Sequence, residues 1–431
     1  MLCVMRGQFV ANLRRLVLPF FLFALSGCGS GQNGTGSASS CNDNGAVHAS
    51  GTSWTCSDGC NTCSCKQGEI ASTELACLPG GADGGADSTV VANAEAGPDG
   101  KFDAAPDSET DAAPGAHCAP GGPGLTNCGA AGESCCTSLS VTGGTFYRTY
   151  DPLGVDGGIG LAPDGGPTGE ADPATVSSFR LDKYLVTVGR FRQFVSAWNA
   201  GYVPPAGSGK HTYLNGGNGL NATGGGYEPG WVAADDSFIA PTNANLACDP
   251  IFVTWTNTAG SQENLPINCV NWYEANAFCI WDGGFLPSEA EWEYAAAGGS
   301  EQREYPWGST APGTGCPGTG CQHAIYDCDF PDGSGSCMGV GNIGPVGYAA
   351  LGAGRWGQLD LAGDVFEWNL DWYAPYVDPC TDCVDFATPS TRVLRGGAFY
   401  YFAPTLLPSN RIDIDPTYRG NYIGFRCSRI P

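Results

Sequence analysis

Cationic residues, histidine and methionine are all scarce in this 431-residue chain. It has 19 lysines and arginines against 43 aspartates and glutamates, with 4 histidines and 3 methionines. The formal net charge is −24, and the basic side chains never cluster. Binding a polyanion takes a basic patch that displaces counterions, so nucleic acid is excluded as a partner. The histidines are His48, His117, His211 and His323, with no i, i+4 pair, which argues against a multi-histidine iron centre. No H-E-x-x-H, P-loop lysine or G-x-S-x-G occurs. Gly339-x-Gly341-x-x-Gly344 spells a dinucleotide fingerprint, but it follows a Cys/Gly loop, and Pro345 blocks the helix such a motif must open.

Long apolar runs are missing too. Leu16–Leu25 is too short to cross a bilayer as a mature helix, and behind Arg6, Arg14 and Arg15 it reads as an export signal. It ends in Leu25-Ser26-Gly27-Cys28, which resembles a bacterial lipobox. Residues 1–27 are therefore expected to be a lipoprotein signal peptide, with lipidation at Cys28. The protein would then sit in the cell envelope, outside the cytoplasm, held to the membrane by its lipid. Residues 28–40 form a Gly/Ser-rich flexible tether. Residues 78–117 are acidic and rich in Ala, Gly, Pro and Asp, with Lys101 the only base, and read as a disordered linker.

Export sets the meaning of the 22 cysteines. Without Cys3 and Cys28 an even number remains, as disulfides in an oxidising compartment require. Residues 41–77 carry Cys41, Cys56, Cys60, Cys63, Cys65 and Cys77 but few large apolar side chains, so this module is expected to depend on three disulfides rather than zinc. It loosely resembles pacifastin-type inhibitors. Further along, Cys135–Cys136, Cys316/Cys321, Cys328/Cys337 and Cys380/Cys383 read as loop staples of open connectivity.

Residues 118–431 are long enough for one large domain. Thr187 can cap a helix with Val188, Phe191, Val195 and Trp198 as its apolar stripe. Asn271 can cap a second that carries Trp272, Ala275, Phe278 and Cys279 on one side. Ser288-Glu289-Ala290-Glu291 is a capping box for a third, stopped by Gly298. The rest is dominated by Gly, Pro, Asn and Asp with short strand-like runs. An irregular α+β domain of low regular content follows.

Gly354–Tyr376 concentrates Trp356, Phe366, Trp368, Trp372, Tyr373 and Tyr376 among Asp360, Asp364, Glu367 and Asp371. Alternation puts Phe366 and Trp368 on one strand face and Val365 and Glu367 on the other. Asp360 and Glu367 can meet across the turn at Gly363, offering hard oxygens to calcium. On the residues alone, a solvated strand edge is the better explanation of the stretch.

GQLDLAGDVFEWNLDWY is similar to the G-x-x-D/N-x-x-G-N-x-W-E-W segment of the formylglycine-generating enzyme and sulfatase-modifying factor family. Four more segments resemble that family in its own order: Phe179–Val195, Leu265–Gly299, Tyr305–Ser309, and Arg392–Phe402 with Tyr422–Cys427. The resemblance implies an irregular fold similar to C-type lectins and a Cys279–Cys427 disulfide. It also implies a structural calcium ion held by Asp360, Gly363, Val365 and Glu367, the middle two through backbone carbonyls. A second family calcium site matches Ala324–Asp327, where its Asn is missing.

Family enzymes oxidise a sulfatase cysteine to formylglycine with a cysteine pair lying between the R-G-G turn and G-F-R-C, which captures copper and the substrate thiol. Here Ala398 to Arg426 contains no cysteine. The two thiols would fall near Tyr401 and Leu406, while Phe366 and Ala398 stand where the family has Trp and Ser. Copper(I) chemistry requires the soft thiolate, so copper and the standard reaction are not expected. The reading that follows is a calcium-stabilised binding or accessory module for a protein or glycan ligand, in a cleft lined by Trp372, Tyr400, Tyr401 and Arg411. The alternative is an oxidoreductase of the same family working through rearranged thiols such as Cys380/Cys383. Arg395, Arg411, Arg419 and Arg426 line an acceptor cleft in one view and pair with Asp413 and Asp415 in the other.

Overall fold

The computed structural model describes short strands within 41–72 and, fully, residues 117–119, 121–150, 172–312, 323–387 and 390–431. The export signal, Cys28, the tether, most of the acidic linker, Cys316/Cys321 and the sulfur pairing of the 41–77 module lie outside the described residues. The chain divides into two compact units, Met1–Phe102 and Asp103–Pro431. In the first, Cys41–Asp43 pairs with Ala46–His48, and Ser53–Thr55, Thr62–Lys66 and Glu69–Ser72 form an antiparallel three-stranded sheet. Among the described residues no helix is long and apolar enough to cross a membrane.

The second unit is mixed α and β, built around three helices that start where their caps are. In α1, Val188–Asn199, the Thr187 side chain accepts from the Arg190 N–H. In α2, Trp272–Trp281, and α3, Glu289–Ala296, Asn271 with Glu274 and Ser288 with Glu291 complete capping boxes. Each such cap contributes about 1 kcal/mol. Every residue of α3 is buried, and α2 is buried through Cys279. A helix covered on all sides belongs to the interior rather than to a one-faced surface, which corrects the one-sided expectation for α2.

Four strands make the central sheet: β1 Phe366–Trp372, β2 Arg392–Arg395, β3 Arg411–Ile414 and β4 Ile423–Gly424, in the order β3-β2-β1-β4. Neighbours are antiparallel except β4, which runs parallel to β1. The solvated-edge reading of β1 is wrong: the strand is internal, and Glu367 and Asp371 are buried. Two smaller sheets flank it. In one, Pro173–Val176 lies between Gly144–Tyr147 and Cys380–Thr381; in the other, Phe179–Asp182 lies between Ser138–Val141 and Ser428–Arg429.

Phe191, Phe194, Phe278 and Phe425 interlock at the centre of the main core. A disulfide joins Cys279 of α2 to Cys427 across 148 residues. Closing so long a loop takes about 5 kcal/mol of entropy from the unfolded chain. Adjacent Cys135 and Cys136 reach different partners, Cys128 and Cys118, and Cys248 pairs with Cys269. Cys328–Cys337 closes a short loop. Cys380 and Cys383 are also joined; Cys380–Thr381 pairs with Ala174–Thr175, and Cys383–Val384 with Asn221–Ala222. That disulfide is a staple between two short strand pairs.

Candidate functional site

At the start of β1, Glu367 meets a cation of the protein itself. Arg426 donates from Nε to Oε2 at 2.7 Å and from Nη2 to Oε1 at 2.9 Å, and both side chains are buried. The same Nη2 reaches the backbone oxygen of Asp360 at 2.8 Å. Asp360 turns its carboxylate elsewhere, accepting the Gly347 N–H at 2.6 Å. Asp364 accepts the Gly344 N–H on Oδ1 at 3.0 Å, and its Oδ2 is buried without a partner.

Burial raises the Asp360 carboxyl to about 6. It raises Asp364 further still, with the neighbouring Asp360 charge adding to the effect. Gly363 adopts φ of 84°, and a Cβ there would stand 2.3 Å from the Ile325 carbonyl oxygen, so only glycine fits. Val365 packs its side chain into a core with Tyr184 and Leu185. The donor set inferred from the resemblance is therefore rearranged, because a bidentate guanidinium occupies both oxygens of Glu367. The acid with an unanswered oxygen is Asp364. Among the described residues no three His, Cys, Asp or Glu side chains gather as a metal-binding group.

Near Tyr401 and Leu406, where the resemblance implies the family's thiols, the side chains are phenol and hydrocarbon. Tyr401 meets Phe366 edge-on with ring centroids 5.0 Å apart, and stacks on Tyr400 at 4.8 Å. Tyr422 lies 5.7 Å from each of these tyrosines, and Leu406 is buried. The described cysteines that flank this segment, at 328, 337, 380, 383 and 427, are all in disulfides. This donor set does not fit copper(I).

The expected cleft is not one site. Tyr401 packs on Phe366 at one end of β1, whereas Trp372 is at the other end, about 20 Å away by strand rise. Arg411 is not free for a ligand. It pairs with Glu289 at 2.7 Å and lies 4.3 Å over each of the Tyr373 and Tyr376 rings. The other arginines also pair inward. Arg395 binds Glu289 at 2.6 Å and Glu293 at 2.7 Å, and Arg419 binds Glu274. These partners belong to α2 and α3, not to the Asp413–Asp415 segment, because buried helical acids need internal cations.

Another buried charge is His211, whose Nδ1 and Nε2 face Glu228 at 2.9 Å and Glu291 at 3.0 Å. Nothing in its sequence context marks it. Trp272, expected only as an apolar side chain of α2, shares a pocket with Asn276 and Arg392, which sequence alone could not show since α2 and β2 meet only in the fold.

An α+β domain with three capped helices, a core disulfide and this buried Asp/Glu/Arg turn matches a known protein class. Residues 127–430 match the sulfatase-modifying factor enzyme 1-like domain, and the chain belongs to that family. It is 29% identical to the formylglycine-generating enzyme of Thermomonospora curvata, over 68% of this chain and 93% of that one. It is 27% identical to the inactive C-alpha-formylglycine-generating enzyme 2 of Mus musculus, over 67% of this chain and 84% of that one. Among solved structures, PvdO from Pseudomonas aeruginosa aligns at a TM-score of 0.42 and 20% identity, covering 68% of this chain and 94% of that one.

Proposed function

We propose that this chain is a non-catalytic member of its family, a binding or accessory module carried at the cell envelope. One observation supports the reading above the rest: Cys380 and Cys383, the alternative pair, are tied together in a disulfide, while the resemblance puts the family's thiols near Tyr401 and Leu406, where a phenol and a buried hydrocarbon side chain stand. Both formylglycine-generating enzymes and a relative described as inactive occur among its similar proteins, so family membership alone does not imply the reaction. A C-type-lectin-like scaffold suits such a role, since binding residues on loops vary while the core stays fixed.

The full chain, loaded with copper and incubated in air with a Cys-x-Pro-x-Arg peptide, should leave the cysteine unchanged by mass spectrometry. Conversion to the aldehyde, abolished by Cys380→Ser, would restore the enzyme alternative.

The anchor in this proposal is lipid on Cys28. Labelled palmitate should enter the wild-type chain and not Cys28→Ser, and an unlabelled wild type would remove the anchor from the reading. Calcium has a role beside Asp360 and Asp364, two adjacent buried carboxylates with an oxygen to spare. As a hard cation it would neutralise them, with the Gly363 and Val365 carbonyls as further donors, and so stabilise the turn.

A further inference from the structure

A pocket of about 240 Å³ opens where α2, β1 and β2 meet the turn Ala233–Phe238. Arg392 lines it, sandwiched between two tryptophans. The guanidinium carbon lies 3.6 Å from the Trp272 ring centroid and 3.4 Å from that of Trp372. Both faces of the cation are thus covered, and only its edge remains for hydrogen bonds. Nη1 donates to the Leu370 carbonyl. Nε is buried without a partner, and no carboxylate forms an ion pair with Arg392 among the described residues. Burial of this guanidinium is only partly offset, by Asp371, Asp235 and Asp385 acting from beyond ion-pair distance.

Two more polar groups line the same space unused. Asn276 of α2 is only 6% exposed, yet its amide makes no hydrogen bond to a described residue. Asp235 is partly exposed and makes no ion pair among the described residues. Of the polar atoms here, Arg392 Nε is fully buried without a partner, and the amide of Asn276 and the carboxylate of Asp235 stand unused at the same pocket; a buried donor left unmet in a native fold points to something that supplies it.

The chemistry of the pocket selects its occupant. It offers donors from Arg392 and Asn276, acceptors from Asp235 and Asn276, and aromatic walls from Trp372 and Phe386. A carboxylate would satisfy Arg392, but Asp235, Asp371 and Asp385 all lie close enough to act on that guanidinium, so a second anion would be repelled. A hydroxyl both accepts and donates, and suits every group present. Drug-sized ligands occupy roughly 300 to 1,000 Å³, so this smaller volume suits one ring.

We propose that the pocket binds the ring of a single neutral sugar, its hydroxyls bonded to Arg392, Asn276 and Asp235 and its apolar face against Trp372. This specifies a ligand for the binding module proposed above, but on residues remote from Tyr401, so either reading can fail without the other.

The test titrates the full chain with the methyl glycosides of glucose, galactose, mannose and N-acetylglucosamine, followed by tryptophan emission. At least one should give a saturable change, and Asn276→Ala and Asp235→Asn should each weaken it about tenfold or more while melting as the wild type does. Lack of saturation for all four, at about a hundredfold above a Kd of 1 mM, overturns the proposal. So does a methyl glucuronide that binds more tightly than the matching glucoside, because the pocket would then be an anion site. Saturable binding left intact by both substitutions also overturns it, placing the sugar elsewhere. Formylglycine formed by protein that still binds sugar would overturn only the non-catalytic reading.

Discussion

Asp364 and Glu367 lie three residues apart and are both buried, yet they meet opposite fates. Glu367 has a full-strength partner in Arg426, 59 residues downstream. Asp364 keeps one oxygen unpaired beside a second carboxylate, Asp360. A cation that binds the folded state alone stabilises it by about 2.7 kcal/mol at a hundredfold excess over Kd. Calcium is therefore expected to raise the melting temperature relative to EGTA, and Asp364→Asn to remove most of that rise. Identical melting of the wild type in calcium and EGTA would remove the ion from this turn. Both acids and the arginine were visible in the sequence, but which acid takes the arginine was not. Spacing along a strand shows which side chains share a face, and says nothing of a guanidinium arriving from another element.

At the scale of elements, what was legible was local. Thr187, Asn271 and Ser288 mark helix starts because each cap bonds an N–H within its own first turn. The burial of those helices was not legible. Glu274, Glu289, Glu291 and Glu293 give α2 and α3 the composition of wet surfaces, yet each faces a cation inside the fold: Arg419, Arg395 with Arg411, His211 and Arg395. Those cations come from four places outside α2 and α3, so polar patterning here reflects ion pairs rather than solvent. Strand β1 misled the sequence reading in the same way. The cleft expected at Tyr400, Tyr401, Trp372 and Arg411 failed because Tyr401 packs on Phe366 at the start of β1 while Trp372 stands at its far end.

At the scale of the whole molecule, these buried charges set how stability responds to pH. Burial by itself would depress His211, but Glu291 and Glu228 overcome it and carry the imidazole up to about 10 from 6.5. That contribution is complete below pH 6.5 and is lost as the pH rises toward 10. Burial, with Glu289 nearby, lifts the Asp371 carboxyl to about 7 from 3.8. A raised acid binds its proton more tightly in the folded state, so its penalty is absent below pH 3.8 and grows until about pH 7. The two windows adjoin, and both slopes descend with rising pH. The net charge of −24 adds repulsion in the same direction. Against them, Glu228 and Asp282 are held below their usual range, with burial outweighed by His211 for the first and by Arg190 for the second. Their stabilisation is lost only as the pH falls below the ordinary carboxylate range. The melting temperature should therefore peak near pH 4 to 5 and decline steadily toward pH 9. Asp371→Asn should flatten the lower part of that decline, and His211→Gln the upper part, each judged by its own slope rather than its absolute stability. A melting temperature that climbs between pH 5 and 8 would mean that these buried groups do not govern the folding equilibrium.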